Sequence, residues 1–443
     1  MQQIDSQTIQ ELQIISKQTK DASILNFFDH TSTQGGRDAL KAMLLSPKAF
    51  RDDVIVFQEL LKTIVADPNV FQVDVARAYV AAAEAYYASS IAYSMSQDVF
   101  QHWFDTFIFA WRNPSEFYLV RSGLIATFRI FKAMQVMISN IGDSQVPQLL
   151  KDDVDFLKNF LQSTGLAAIL KTRDTKLSLS AIFLWDYRLR ISLKKDFRRL
   201  LDCFYTLDAY QSIARTAKIH SLNFPEFVSE NSTGPTFEVE SIWHLLMDNA
   251  VPNSISLNNQ TPICVLTGAN TSGKTTFLKT AGVVIYLAHL GWPVPARTAR
   301  ISFVDRLFTS INLSDNMGLG HSHFYGEVIR IRDIATALSA KETCFVIIDE
   351  LFRGTNQEDA FHCSKTVIDG FLLHNTSSFL VSTHLLNLIK HYEATTEICF
   401  RCFRTKIIGD DFENTFQIED GISTEKLGQI ILKQAGVAEL LHS

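Results

Sequence analysis

The sequence predicts an α + α/β chain, with a mainly helical region over residues 1–230 and an α/β domain over residues 231–443. Three observations predict it. Helical periodicity with scarce Gly and Pro dominates residues 52–138 and 152–220, most clearly in the Ala-rich run 75–92. Beyond residue 235 the texture changes to short apolar runs alternating with helix-like segments, the pattern of a parallel sheet with crossover helices. One such run, 263–266, opens into Gly268-Ala-Asn-Thr-Ser-Gly-Lys-Thr275, and a helix-like stretch, 275–289, follows.

A chain of 443 residues is too long for one ordinary core, so two or three domains are expected. Apolar residues make up 47% and charged residues 20%, which excludes disorder as the main theme. The net charge of −6 means that any nucleic-acid contact must come from a local basic patch. Six cysteines without a signal-peptide pattern point to a reducing cytoplasm. The most apolar region, 102–138, is interrupted by Arg112, Glu116, Arg121, Arg129 and Lys132, so no membrane span is expected.

Taken in order, residues 1–20 read as a short polar helix. Residues 24–47 read as a polar turn opening an amphipathic helix that Pro47 terminates. The helical pattern over 152–220 is expected to break near Gly165 and Thr172. Within it Arg188, Arg190, Lys194, Lys195, Arg198 and Arg199 are opposed only by Asp196. Such a run is usually a solvated helix face; the functional reading is a phosphate-contacting or subunit-contacting surface. Phe224-Pro-Glu-Phe and Asn231-Ser-Thr-Gly-Pro235 read as a linker.

The chemistry is concentrated in the α/β part. Gly268 and Gly273 frame a G-x-x-x-x-G-K-T loop between a strand and a helix. Glycines let successive N–H groups face one anion, and the helix N-terminus adds its partial positive charge. Backbone and side chains of Gly268, Ala269, Asn270, Thr271, Ser272, Gly273, Lys274, Thr275 and Thr276 would hold the phosphates of ATP. Lys274 would reach the β- and γ-phosphates and the Thr275 hydroxyl would ligate Mg²⁺. Phe345-Val-Ile-Ile-Asp349-Glu350 is a buried-strand run ending in two acids, at the edge where α/β sheets place catalytic groups. Asp349 would complete the Mg²⁺ shell, and Glu350 would polarise the attacking water. Phe379-Leu-Val-Ser-Thr-His384 is a further strand, with His384 placed to sense the γ-phosphate. A glycine–serine turn, Gly318-Leu-Gly320-His-Ser322, precedes another helix and makes a second anion site. Gly320 and Ser322 would serve the ATP of a partner subunit, the arrangement of ABC-type ATPases.

Two smaller signals are set aside. Cys399 and Cys402 have zinc-ligand spacing but no second pair, and on a strand positions three apart face opposite ways. His321 and His323 have no acidic or cysteine partner in view.

These residues resemble the MutS family of DNA mismatch repair. Thr267-Gly-Ala-Asn-Thr-Ser-Gly-Lys-Thr-Thr276 is similar to the family's TGPNxxGKST loop, with Ala269 for proline. Leu290-Gly-Trp-Pro-Val-Pro-Ala296 and Asp305-Arg-Leu-Phe-Thr309 resemble GSYVPA and DRIFTR. Gly320-His-Ser-His-Phe324 with Glu327 resembles GxSTF…E, with His323 for threonine. Asp349-Glu-Leu-Phe-Arg-Gly-Thr355 resembles DEIGRGT, with Phe352 for glycine, and Thr383-His384 resembles the TH switch. Upstream, Phe28-Asp-His-Thr-Ser-Thr-Gln-Gly-Gly-Arg-Asp-Ala-Leu40 is similar to the start of the family's core domain, with Gln34 where proline is common.

The resemblance implies an N-terminal core/lever region and an ABC-type P-loop ATPase domain. It also implies a dimer with composite ATP sites, and conformational change coupled to DNA. The expected form is a short one, without the family's mismatch-reading and connector domains; Phe57-Gln-Glu59 matches the reading motif by letters alone. Two alternatives stand beside it: action on recombination or branched DNA, and a nucleotide-gated scaffold that binds a fuller MutS protein and never touches DNA.

Overall fold

The computed structural model describes residues 1, 4–16, 21–89, 108, 111–141, 146–170, 177–229, 234–311, 323–408, 411–423, 430, 432, 434–435 and 437–442. They form two compact units. One holds residues 1–27, 44–58 and 219–443; the other holds 28–43 and 59–218. No single chain position divides them, since three stretches upstream of residue 230 pack with the α/β part.

The second unit is helical, as the periodicity predicts. Its helices include Arg51–Ala66 beyond residue 58, Arg77–Ala88, Pro114–Asn140, Lys151–Leu161, Thr164–Leu170 and Leu179–Tyr187. A five-residue π turn, Arg188–Ser192, leads into Lys194–Ile219. The break near Gly165 is present, whereas Thr172 lies outside the described residues. Gly123 lets the 114–140 helix close onto Tyr86, because an added Cβ would stand 2.1 Å from the Tyr86 Cβ. The Thr-Ser-Thr-Gln-Gly-Gly-Arg segment has a local physical cause. The Asp208 carboxylate accepts from the N–H groups of Ser32 and Thr33, both at 2.9 Å, and from the Thr33 hydroxyl at 2.8 Å. Gly36 lies beneath it, where a Cβ would meet Asp208 at 2.2 Å. Arg37 pairs with Asp29.

The first unit is built on a six-stranded sheet of order β10-β9-β4-β8-β7-β6. Its strands are β4 (Ile263–Gly268), β6 (Arg306–Ser310), β7 (Cys344–Asp349), β8 (Ser378–Ser382), β9 (Ile398–Ile408) and β10 (Asp411–Asp420). All pair in parallel except β10, which returns antiparallel on the edge. Strands covered on both faces read as continuous apolar runs, which is why Ile-Cys-Val-Leu and Phe-Val-Ile-Ile were conspicuous in the sequence. Phe371 and Phe379 stack at 4.1 Å in the core on one face, among Val346, Ile348, Ile368 and Val381. The helix Lys274–His289 runs almost wholly buried.

A smaller sheet, order β1-β5-β2-β3, contains β1 (Glu226–Phe227), β2 (Phe237–Ile242), β3 (Asn253–Leu257) and β5 (Thr298–Ile301). It corrects one expectation. Phe224-Pro-Glu-Phe is not linker: Glu226 and Phe227 pair in parallel with Arg300 and Ile301. Pro225 misled because proline punctuates loops, yet it is equally at home just before an edge strand. Residues 231–233 lie outside the described set.

The exposed edge of the larger sheet is covered by the chain's own beginning. Arg330, buried in the His323–Ser339 helix, donates to the Thr309 carbonyl at 2.8 Å, to Thr8 Oγ1 at 2.8 Å and to Asp5 Oδ2 at 3.1 Å. The Thr309 hydroxyl donates to Glu11 at 2.5 Å. The helix Ser6–Glu11 thereby shields β6, an edge strand that would otherwise offer unpaired backbone groups. Among the described residues no helix is long and apolar enough to cross a membrane.

Candidate functional site

Three strands end side by side, and their registers decide which side chains meet. Asp349, the last residue of β7, lies opposite Ser382, which also lies opposite Leu266 of β4. The turn leaving β4 and those leaving β7 and β8 therefore converge at the carboxyl edge of the sheet, where open α/β sheets place their ligands.

The loop 268–273 starts from Gly268 at φ +141° and ends at Gly273 at φ +107°. A Cβ on Gly268 would stand 2.8 Å from the Phe403 carbonyl, so backbone and space both require glycine there. Ser272, buried, folds its hydroxyl back onto the Ala269 carbonyl at 2.8 Å. Asn270 and Thr271 are exposed. No side chain caps the N-terminus of the Lys274–His289 helix, whose leading N–H groups share this turn with Lys274.

Lys274 is only 4% exposed. Its ammonium donates to the carbonyls of Gly268 at 2.7 Å and Ala269 at 2.9 Å. Burial lowers its pKa, and the carboxylates of Asp349 and Glu350 oppose that shift. A buried cation beside the leading N–H groups of a helix is an environment suited to a polyanion.

Thr275 Oγ1 donates to Asp349 Oδ2 at 2.6 Å, and the Ser382 hydroxyl donates to the other carboxylate oxygen at 2.5 Å. Ser382 also accepts from the Glu350 N–H at 3.0 Å. One hydroxyl thus fixes the Asp349 carboxylate and the backbone of the next residue. Glu350 needs that restraint: its φ is +61°, a left-handed conformation uncommon for a non-glycine residue. Phe352, where the resemblance places glycine, has φ +56° and packs on Phe324 at 5.6 Å between ring centroids.

His384 lies 2.9 Å from Glu350 Oε1 through its Nε2, and Arg353 lies 3.4 Å from Oε2. The hydrogen bond from His384 is the largest cause holding the Glu350 carboxyl below the usual range, against desolvation. With Nε2 donating to Glu350, the 3.4 Å approach of the Lys274 ammonium to the same nitrogen joins two donors and is not a hydrogen bond.

Beside the loop opens a cavity of about 350 Å³, lined by Asn270, Thr271, Gly273, Thr275 and Thr276. Ile242, His244, Phe277, Phe403 and Phe416 also line it. Burial lowers the His244 pKa to about 4, with Lys279 adding to the shift. The loop residues Lys274 and Thr275 are thus brought together with Asp349, Glu350 and His384. Gly320 and Ser322 lie outside the described residues, as do His321 and the side chain of His323. No disulfide joins any of the six cysteines; Cys402 is buried and Cys399 half-buried on β9. Among the described residues no cluster of three or more His, Cys, Asp or Glu side chains suits a metal.

Sequence reasoning missed Ser382 as a restraint and missed the cavity walls. Ser382 stood in the Phe-Leu-Val-Ser-Thr-His run, but its role needs the register of β7 against β8. Asn253 carried a readable signal. It occupies an inward position of β3, whose exposure alternates from it onward, and a polar group on the buried face of a strand calls for a partner.

Residues 264–441 match the MutS domain V family. That stretch is a MutS domain V. It is 35% identical to the DNA mismatch repair protein MutS of Treponema denticola over 198 residues, 42% of this chain and 22% of the relative. Against the probable DNA mismatch repair protein Msh6 of Drosophila melanogaster it is 32% identical over 204 residues, 44% of this chain and 17% of the relative. Against MutS of Lachnoclostridium phytofermentans it is 27% identical over 281 residues, 61% of this chain and 29% of the relative. The chain thus spans less than a third of the length of these relatives, and the matched domain contains the loop, both acids and His384.

Proposed function

We propose that this chain is a Mg²⁺-dependent ATPase of the P-loop, ABC type, whose ATP cycle drives conformational change on DNA in a process related to mismatch repair. The observation that carries the reading is the convergence, at one sheet edge beside one cavity, of a buried lysine, an uncapped helix N-terminus, a hydroxyl–carboxylate pair and a histidine-held glutamate.

In this reading the 268–276 loop binds the phosphates through its N–H groups and Lys274. The cavity takes the base and ribose between Phe403, Phe416 and Ile242. Thr275 Oγ1 and Asp349 are a hard-oxygen pair 2.6 Å apart, the donor chemistry that suits Mg²⁺ and leaves its remaining positions to water and phosphate oxygens. When bound, the ion neutralises charge on the phosphates. Ser382 fixes the Asp349 carboxylate, and Glu350 orients and polarises the attacking water while His384 and Arg353 hold its carboxylate. Phosphate release on purified chain, with and without Mg²⁺, tests the reading; no Mg²⁺-dependent turnover would refute it.

Composite sites in a dimer, with Ser322 completing the partner's site, rest on the resemblance. If they form, a Lys274→Ala chain mixed with a Ser322→Arg chain should regain activity towards half the parent rate per mixed dimer, although each alone is inactive. Strictly monomeric hydrolysis with no recovery would remove the composite site.

For DNA, Lys194, Lys195, Arg198 and Arg199 are exposed at the start of one helix. Arg199 is partly engaged, its guanidinium 4.2 Å over Phe156 and 3.4 Å from Asp153. Replacing Lys194, Lys195 and Arg198 together by Glu should weaken DNA binding and flatten the log–log salt slope by about 2–3. An unchanged slope would favour the scaffold reading, in which partners other than DNA take this surface.

A further inference from the structure

Strand β10 carries a distortion beside the cavity. Asn414 pairs with Thr405 and Ile418 with Phe403, so four steps on β10 match two on β9. The extra residues are centred on Phe416, whose φ of +54° is rare for an aromatic residue. A strained residue persists only where its surroundings hold it, and such positions gather at ligand sites. Phe416 is 44% exposed, and a Cβ added to Gly273 would lie 3.4 Å from its Cδ1. It therefore stands where the loop meets the cavity.

The holding group is Asn253. This buried side chain donates from Nδ2 to the Phe416 carbonyl at 2.9 Å and to the Val251 carbonyl at 3.1 Å. Its Oδ1 accepts from the Ile418 N–H at 2.7 Å. One amide thereby grips the bulge on both sides of Phe416 and ties it to the segment leading into β3. Only an amide offers both a donor pair and an acceptor from one flat group of this size.

We infer that Asn253 is a positioning residue for nucleotide binding, acting through Phe416: it sets the aromatic face against which the base of ATP rests. This rests on the proposed ATPase reading and adds a residue that does not touch the phosphates.

The test is calorimetric titration of the full chain with Mg·ATP and, separately, with Mg·tripolyphosphate, which has phosphates and no base. The proteins are the parent, Asn253→Ala, Phe416→Ala and the double variant. Asn253→Ala should weaken ATP binding roughly 5–30-fold, within the range of one lost base–aromatic contact, and leave tripolyphosphate binding unchanged. The double variant should be no weaker than Phe416→Ala alone, since both changes remove the same face. Asn253→Asp keeps the acceptor for Ile418 but sets a carboxylate against two carbonyls; it should show the same selective loss and serves if the alanine variant does not fold. Parent-like ATP affinity in the Asn253 variants, equal losses for both ligands, or losses that multiply in the double variant would overturn the inference. A parent that binds neither ligand would overturn the ATPase reading and this inference with it.

Discussion

Glu350→Gln is expected to slow Mg²⁺-dependent ATP hydrolysis at least ~100-fold while ATP affinity stays within about threefold of the parent. A hundredfold corresponds to about 2.7 kcal/mol of barrier, a reasonable loss for one general base. The side chain lies at the sheet edge with His384 at 2.9 Å and Arg353 at 3.4 Å, and neither partner is a loop element that grips phosphate. Glutamine keeps the size and one acceptor but cannot take up a proton or polarise water as a carboxylate does. It also removes a negative charge near Lys274, so binding should if anything improve. Single-turnover hydrolysis measured beside nucleotide titration separates the two effects. Turnover at the parent rate would show that another group positions the water.

Lys274→Ala is expected to weaken ATP binding itself, by roughly 10–100-fold, because a charge-assisted contact to phosphate is worth about 1.5–3 kcal/mol. The substitution also frees the Gly268 and Ala269 carbonyls, which now accept from its ammonium. Lys274→Arg should not restore the parent affinity: the planar guanidinium is larger than an ammonium that is 4% exposed in this turn. Equal affinity of parent and alanine variant in a calorimetric titration would remove Lys274 from the phosphate site.

What the sequence made legible follows from distance along the chain. The loop, the two acids and His384 each sit at the end of a strand buried on both faces. An uninterrupted apolar run followed by a polar residue is a local signal, and it survives folding unchanged. The helical unit was legible for the same reason, through its 3.6-residue period. The restraint of Asp349 by Ser382 was not legible, since it depends on the register of two strands joined through a helix. The Asn253–Phe416 contact joins strands of different sheets, 163 residues apart. Strand β1 was lost to its brevity, two residues after a proline. Placing the first 27 residues in the helical region ignored contacts that no local pattern can reveal.

Those contacts have a consequence in time. Thr8 and Thr309 meet at 3.4 Å across 301 residues, and Asp5 meets Arg330 across 325. At a synthesis rate of roughly 5–20 residues per second, the first residues would wait about 15–60 s for the strand they cover. During that interval Ile4, Leu12 and Ile14, all buried in the finished unit, have no sheet to settle on. The helical unit, complete by residue 218, can form meanwhile from its own residues. The α/β unit would close after it, clasped by residues made some 300 positions before the strand they cover.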